Sequence, residues 1–263
     1  MMTVNYHTHT VRCRHADGTE REYIESAIRN GVRVLGFADH SPYIFSGKAY
    51  DAYRDGKYYS AHRMFPAQCE DYFRTLCDLK AEYKDDIEIH IGLEAEYYPM
   101  FWDKTLEFFR QFPCEYLLLG QHFLDSEIGA YDMGCAGGSD SAARFERYVD
   151  EVGEGMKTGK FLYLAHPDVL KFTGDPAVQA ALDEKLCLLA KEADVPLELN
   201  LLGMRLGRHY PRLSFWKTAA RVGNRVTIGA DAHCPEVFAD EASYEKVLRL
   251  AGEAGVKIEY LQL

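Results

Sequence analysis

The sequence predicts an α/β fold with a parallel sheet, and three observations support a barrel. Short apolar runs alternate with amphipathic segments of helical period along the chain. The chain has 263 residues, which is a normal size for one α/β barrel. It is 47% hydrophobic and 27% charged, so it has enough apolar side chain for a buried core. No linker composition interrupts it, and we therefore expect a single domain.

The predicted strands are short runs that are apolar or alternate between apolar and polar side chains. They cover residues 3–7, 32–38, 87–94, 116–120, 161–165, 196–200, 225–230 and 257–261. The predicted helices have apolar residues at helical spacing or a recognisable start. They cover residues 23–30, 66–84, 141–157, 176–193, 213–222 and 241–254. Thr19 and Glu22 have capping-box spacing ahead of the first helix, and Gly31 ends it.

Two segments interrupt this alternation. Residues 126–138 are rich in glycine, and residues 41–64 are rich in aromatic side chains. The aromatic residues are Tyr43, Phe45, Tyr50, Tyr53, Tyr58 and Tyr59. Long loops in a compact domain are often lids or binding loops. A surface insertion held by aromatic contacts is the alternative for the tyrosine-rich segment, and the sequence alone does not decide between them.

Composition argues against several classes of protein. The formal net charge of −11 disfavours nucleic acid or an anionic membrane as the main partner. The seven cysteines are odd in number and irregularly spaced, which disfavours a disulfide framework and fits a reducing compartment. We read no signal peptide and no apolar run near the ~18 residues of a membrane span. We therefore expect a cytoplasmic protein.

Metal-capable side chains follow the C-terminal ends of the predicted strands. In a parallel barrel these ends meet at one rim, where active sites are built. A single histidine there is more often structural, but seven of the ten histidines and two carboxylates share this placement. Clustered imidazoles stay neutral most readily around metal. These residues are His7, His9, His15, His40, Glu94, His122, His166, Asp231 and His233.

The size of this set indicates more than one ion. A zinc-like ion takes about four ligands, so nine residues suit two or three divalent ions, with Glu94 as a natural bridge. Imidazole-rich ligation allows Zn, Fe or Mn. Competing motifs are absent from the sequence: it has no P-loop, no G-x-S-x-G nucleophile elbow and no H-E-x-x-H.

The ordered motifs resemble those of the polymerase-and-histidinol-phosphatase (PHP) superfamily. They are HTHT at 7–10, ADH at 38–40, GLEAEY at 92–97, GQHF at 120–123, AHPD at 165–168 and GADAH at 229–233. The resemblance runs from residue 4 to about residue 240 and is greatest to the stand-alone histidinol-phosphate phosphatases. It implies a distorted (β/α)7 TIM-like barrel, one PHP metallophosphatase domain over residues 1–263, and a three-metal centre.

The resemblance also divides the ligands among the ions. It implies that the first ion takes His7, His9, Glu94 and Asp231. It implies that the second takes Glu94, His122 and His166. It implies that the third takes His15, His40 and His233. Every one of these positions holds the expected residue type, so we expect a catalytic member of the family.

Such a site is typical of a phosphoric monoester hydrolase. We expect hydrolysis of L-histidinol phosphate to L-histidinol, a step of histidine biosynthesis, through attack by a metal-bridging hydroxide. Glu94 and Asp231 are the predicted catalytic carboxylates. Arg205 is the predicted phosphate-binding guanidinium, since it can bind two phosphate oxygens, and a surface arginine is the alternative reading. Asp39 is expected to orient a ligand imidazole.

Other residues are expected to contact the rest of the substrate. Arg63 is a second candidate for the phosphate, while aromatic or acidic walls would suit the imidazole and amine of histidinol. The candidate wall residues are Tyr43, Phe45, Glu96 and Tyr97. Two alternatives stay open: a PHP phosphoesterase acting on phosphotyrosyl protein or a nucleotide, and a non-catalytic metal-binding interaction module. The sequence predicts no oligomeric state.

Overall fold

The structure, a computed structural model, describes residues 2–57, 62–124 and 134–263. Seven strands are found in these residues. They are β1 (Val4–Asn5), β2 (Val34–His40), β3 (Glu88–Ala95), β4 (Tyr116–Leu119), β5 (Phe161–Leu164), β6 (Leu197–Asn200) and β7 (Val226–Gly229). The α-helices are α1 (Glu20–Arg29), α2 (Lys48–Arg54), α3 (Cys69–Glu82), α4 (Trp102–Phe109), α5 (Ala142–Lys157), α6 (Pro176–Glu192), α7 (Leu201–Arg205), α8 (Leu213–Val222) and α9 (Glu241–Ala254).

The strands are hydrogen-bonded in the order in which they occur along the chain. The β2–β3, β5–β6 and β6–β7 pairs are parallel, and β2 is paired along its whole length. Beyond β1, Thr8 forms a parallel bridge with Ala232, which lies just beyond β7. In a (β/α)7 barrel, each strand pairs with the next one along the chain, and the first and last strand segments pair with each other. The strand order and the Thr8–Ala232 bridge match this connectivity, so the predicted fold class is confirmed.

The described residues form two compact units. The first holds 2–57, 62–117 and 230–241, and the second holds 118–124, 134–229 and 242–263. In the second unit, the ladder between β6 and β7 runs from the Leu197–Val226 pair to the Asn200–Gly229 pair. In the first unit, the ladder between β2 and β3 ends with His40 opposite Glu94. The register of that ladder therefore places two predicted ligands side by side.

Tyr116 occupies the core of the first unit. Its hydroxyl lies 2.7 Å from the carbonyl oxygen of Tyr6 and 3.0 Å from that of Phe37. A Cβ on Gly92 would lie only 2.6 Å from the Tyr116 carbonyl oxygen, and a Cβ on Gly36 would lie 2.8 Å from the Cα of Tyr6. Glycine is needed at both strand positions because the backbone and the tyrosine ring approach so closely.

Most predicted elements are confirmed, with one wrong strand. The Thr19–Glu22 capping box is present, although α1 begins at Glu20 rather than Tyr23. Residues 257–261 are not a strand. Ile258 forms only an isolated bridge with Val226, whose strand already pairs with β6, and Glu259 and Tyr260 are exposed. An apolar run was therefore not enough to extend the sheet there.

The sequence prediction missed the helices α2, α4 and α7. Helix α2 lies inside the tyrosine-rich segment and begins after Gly47 without a side-chain cap. Within that segment Tyr43 and Tyr53 are buried, and Phe45, Tyr50 and Tyr98 pack against them. Tyr58 and Tyr59, and most of the glycine-rich segment at 126–138, lie outside the described residues. Among the described residues, none of the helices combines the length and the apolar character that a membrane span requires.

Candidate metal centre

The segment after β1 pairs with the segment after β7. Asn5 organises this pairing, because its side-chain amide donates to Thr8 Oγ1 at 2.8 Å and its Oδ1 accepts from the Ala230 amide at 2.8 Å. The His9 amide then donates to the Ala232 carbonyl at 2.9 Å. These bonds bring His7 and His9 beside residues 231 and 233, although more than two hundred positions separate them along the chain.

The four residues predicted to hold the first ion converge. Glu94 Oε2 lies 3.5 Å from His7 Nε2 and 3.7 Å from His9 Nε2. Asp231 Oδ1 lies 3.7 Å from His7 Nε2 and 3.1 Å from His9 Nε2. A tetrahedral zinc with bonds of 2.0–2.1 Å needs ligand atoms about 3.3 Å apart. The four nitrogen–oxygen distances, 3.1–3.7 Å, are close to this spacing.

Glu94 contacts more than this first group. The same oxygen, Oε2, lies 2.8 Å from His40 Nδ1. This one oxygen lies near two imidazoles predicted for the first ion and one predicted for the third, whereas its predicted bridging role joins the first ion to the second. The second predicted ion, which combines Glu94 with His122 and His166, stays a prediction.

The outer group consists of His15, His40 and His233. The ring centroid of His15 lies 5.2 Å from that of His40 and 4.6 Å from that of His233. The ring centroids of His40 and His233 lie 6.2 Å apart. His9 joins the two groups, because its ring lies 4.1 Å from that of His233 and 4.3 Å from that of His40. The predicted first and third ligand sets are thus adjacent.

Hydrogen bonds at Nδ1 orient three of these rings. His15 Nδ1 lies 2.9 Å from the Cys13 carbonyl, and His233 Nδ1 lies 3.0 Å from the Asp231 carbonyl. His9 Nδ1 faces Asp39 Oδ1 at 3.4 Å. Each ring is thereby left with Nε2 for a metal. The Nε2 atom of His233 is buried without a hydrogen-bond partner among the described residues, which is the state that a cation would relieve.

Asp39 has the geometry of the orienting carboxylate that the sequence predicted. Besides facing His9, it accepts hydrogen bonds from the Thr10 hydroxyl and from the His40 amide, the latter at 2.8 Å. It is completely buried. These contacts fix the carboxylate between two predicted ligands rather than in the position of a ligand itself.

Electrostatics within the cluster favour a bound cation. Burial lowers the pKa of His233 well below its usual value, helped by the neighbouring charge of His9. Burial opposes ionisation of Asp231, yet His7 and His9 outweigh it and hold the pKa of that carboxyl well below its usual range. Burial likewise opposes protonation of His9, but hydrogen bonds to Asp231 and Asp39 raise its pKa to about 9. Buried anions therefore need a positive charge here, from a proton or a metal.

Two predicted ligands have strained backbone. Asp231 has φ +47° and His166 has φ +30°, in the left-handed region that non-glycine residues rarely occupy. Such a conformation costs on the order of 1 kcal/mol and persists where surrounding bonds enforce it. For Asp231 those bonds are the ones that Ala230 and Ala232 make to the first segment of the chain.

The second unit holds the other two predicted histidines. The rings of His122 and His166 lie 4.8 Å apart. The His166 amide donates to Glu198 Oε2 at 3.0 Å, and the Asn200 side-chain amide donates to the same oxygen at 3.0 Å. Glu198 is completely buried and fills the space in which a Cβ on Gly229 would lie. The buried carboxylate thus supports the backbone of a predicted ligand.

Four of the predicted substrate residues of the first unit form a cluster. Arg63 is buried and pairs with Glu96 Oε2 at 3.0 Å, and its guanidinium lies 3.6 Å from the Tyr43 ring centroid. Phe45 stacks on Tyr43 at 4.7 Å. The free space among them is about 10 Å³, the room of one water molecule. Tyr98, which the sequence reading missed, donates to Glu96 at 2.8 Å.

Two predicted substrate residues lie elsewhere. Tyr97 packs edge-on against Trp102 of α4 at 5.4 Å. Arg205 is half-buried at the end of α7, in the second unit. The roles of both residues in binding substrate stay predictions.

The sequence reading also missed the residues that support the ligands. Glu198 could have been singled out from the sequence, because it is a charged residue within an apolar run that was predicted as a strand. Asn5 gave only a weak signal as a polar residue two positions before the His-x-His. Tyr98 gave none, because its role depends on the burial of Glu96 and Arg63.

Known proteins share both sequence and fold with this chain. A protein from Deinococcus radiodurans named "Probable histidinol-phosphatase" is 28% identical over 87% of this chain and 85% of its own length. The histidinol-phosphatase of Bacillus subtilis is 30% identical over 46% of this chain and 44% of its own length. A crystal structure of histidinol phosphate phosphatase from Lactococcus lactis, complexed with Zn, L-histidinol and phosphate, has the same fold. Its TM-score is 0.71 at 19% identity, over 97% of this chain and 95% of that one.

The match to a protein-family model shows which family the chain belongs to. The model of the PHP domain matches residues 5–201, about three quarters of the chain. The extension of one such domain to residues 1–263 stays a prediction. The ordered motifs, the barrel connectivity and this match agree, and the chain belongs to the PHP domain family.

Proposed function

We propose that this protein is a metal-dependent phosphatase that hydrolyses L-histidinol phosphate to L-histidinol and phosphate. The observation that carries the proposal is the convergence of His7, His9, Glu94 and Asp231, at spacings that suit one tetrahedral ion. The names of the relatives support this substrate over other phosphate esters. The reaction would belong to histidine biosynthesis in the cytoplasm.

The proposed cofactor is a set of two to three divalent ions, with Zn, Fe and Mn as candidates. The first would be held by the four convergent residues, and another by His15, His40 and His233. When bound, divalent ions act as Lewis acids that stabilise phosphate charge and activate water for attack on phosphorus. No protein nucleophile is needed for such a reaction.

The protein itself supplies orientation and burial. Asp39 and the carbonyls of Cys13 and Asp231 hold the imidazoles with Nε2 available, so that little reorganisation is needed when a metal binds. We propose that Arg205 binds the phosphate, with Arg63 as the second candidate. Glu94 and Asp231 are the proposed catalytic carboxylates.

Substrate recognition would need the cluster around Glu96 to open. The Glu96 carboxylate can pair with the ammonium of histidinol, and the rings of Tyr43, Phe45 and Tyr97 are proposed walls. The free space of about 10 Å³ among these residues is too small for an imidazole, so the Arg63–Glu96 pair would have to separate. The proposed partner is therefore a small-molecule phosphate ester that carries a positive charge.

A substrate panel tests this proposal. Apoprotein is loaded separately with Zn, Mn or Fe, and phosphate release is measured from histidinol phosphate, a phosphotyrosyl peptide and nucleoside monophosphates. We expect the highest kcat/KM on histidinol phosphate and no release after chelation. Preference for the peptide or a nucleotide would instead support the alternative phosphoesterase. Bound metal without turnover on any ester would support a non-catalytic metal-binding module.

A further inference from the structure

In the short segment 62–65, several contacts fix the second residue, Arg63. Arg63 pairs with Glu96 at 3.0 Å, donates to the Ser41 carbonyl at 3.3 Å and stacks on the Tyr43 ring. Its side chain is only 2% exposed. A buried, charge-assisted pair with an additional hydrogen bond fixes this position in the fold.

The next two residues are anchored as well. The Met64 carbonyl accepts the hydroxyl of Tyr53, and the Met64 Sδ lies 3.6 Å from Cys69 Sγ. The Phe65 ring lies 3.9 Å beneath the Arg14 guanidinium and 5.2 Å from the Tyr53 ring. These three consecutive anchored residues therefore fix the backbone position from which the His62 side chain extends.

His62 is exposed and lies beside the outer group of histidines. Its ring centroid is 5.7 Å from that of His15, with an angle of 65° between the ring planes. The ring separations within the group of His15, His40 and His233 span 4.6–6.2 Å. The His62 ring is thus farther from His15 than the rings of His40 and His233, which lie 5.2 and 4.6 Å away, but its separation falls within the range of the group.

Coordination chemistry gives this imidazole a role. A tetrahedral ion held by three imidazoles has one position left, and His15, the neighbour of His62, is on the exposed side of the cluster. We propose that His62 supplies a fourth imidazole to the ion held by His15, His40 and His233. The proposal rests on the metal centre of the proposed function and does not depend on the identity of the substrate.

Cobalt binding tests this proposal separately from catalysis. Chelator-treated protein is titrated with Co²⁺, which absorbs visible light more strongly when four-coordinate than when six-coordinate. The His15→Asn variant identifies the signal of the outer site. We expect His62→Asn to weaken Co²⁺ binding at that site about 10-fold or more and to lower its visible absorption. His62→Asp, which retains a ligand atom, should recover part of the affinity.

A matched control variant tests whether replacing a histidine outside the cluster changes the cobalt signal. His90 is held by Glu88 and Glu115, each at 2.8 Å, away from the cluster, so His90→Asn should leave the cobalt signal unchanged. Unchanged affinity and spectrum in His62→Asn, or a loss confined to sites that His15→Asn leaves intact, would overturn the proposal. Normal cobalt binding with no hydrolysis of histidinol phosphate would overturn the proposed function alone.

Discussion

At the scale of single residues, the centre depends on a few oxygens that each serve several imidazoles. Glu94 Oε2 reaches His7, His9 and His40, and Asp231 Oδ1 reaches His7 and His9. Removing one such oxygen affects several ligands together. The effects of substitutions in this cluster should therefore not be additive.

The Glu94→Gln variant tests the shared carboxylate. It keeps the size of the side chain and removes the charge, so we expect kcat/KM on histidinol phosphate to fall roughly 100-fold or more, about 2.7 kcal/mol of transition-state stabilisation. Metal content of the purified variant, measured by elemental analysis, should also fall. Glu88→Gln is the matched control, because Glu88 is an exposed residue at the other end of the same strand. A near-normal rate for Glu94→Gln would remove Glu94 from the centre.

Residue types and order were enough to predict the candidate ligands. The seven histidines and two carboxylates stand at or just after strand ends, and the predicted C-terminal ends of these strands lie within two residues of those in the structure. The support from Asn5 and Glu198 was not predicted, since it depends on which backbone amides end up opposite their side chains. The Arg63–Glu96 pair was also not foreseen. Both residues were assigned separately to substrate, whereas in the structure they bind each other.

At the scale of secondary-structure elements, the β2–β3 ladder is the main support of the site. It pairs seven consecutive residues and ends at His40 and Glu94, so a shift in its register would separate these ligands. The ring of Tyr116 packs against the ladder where Gly36 and Gly92 leave room for it. Packing of this core therefore controls the position of the ligands.

The Gly92→Ala variant tests that packing. The added Cβ would lie 2.6 Å from a backbone oxygen, which cannot move cheaply, and we expect a loss of about 2 kcal/mol in the free energy of unfolding. Denaturant unfolding of the metal-free proteins measures this. Gly252→Ala in α9 is the control, since its Cβ would meet no atom within 4 Å and should leave stability equal or slightly higher. Equal stability of the two variants would contradict the role of Tyr116.

Elements with strong periodicity were predicted within a few residues, and short or aromatic elements were not. Helices α5, α6, α8 and α9 match their predicted ranges closely. Helix α2 was missed because its stability comes from aromatic packing around Tyr53 rather than from an aliphatic stripe. Helix α7 was missed because it has five residues and depends on the cap that Asn200 provides.

At the scale of the whole molecule, metal binding should be linked to stability. The centre buries two carboxylates and several imidazoles, and only the folded chain brings them together. A ligand that binds the folded state alone raises the free energy of unfolding, by about 4 kcal/mol at a free concentration 1,000 times its Kd. Metal-free protein should therefore be measurably less stable.

Thermal unfolding checks this linkage. We expect chelation to lower Tm by several degrees and added Zn²⁺ to restore it, in parallel with the phosphatase activity. The Glu94→Gln protein, with a weakened centre, should show a smaller shift between its chelated and zinc-loaded forms. An identical Tm with and without metal would show that the ions contribute nothing to folding.

The pairing of Thr8 with Ala232 also has a consequence during synthesis. A ribosome adding about 5–20 residues per second needs roughly 10–45 s to proceed from His9 to Asp231. Throughout that time the emerging chain carries two of the four convergent ligands and then Glu94, but not the last carboxylate. Tight capture of an ion must then wait until Asp231 has been translated, so shorter nascent chains are poor competitors for the metal.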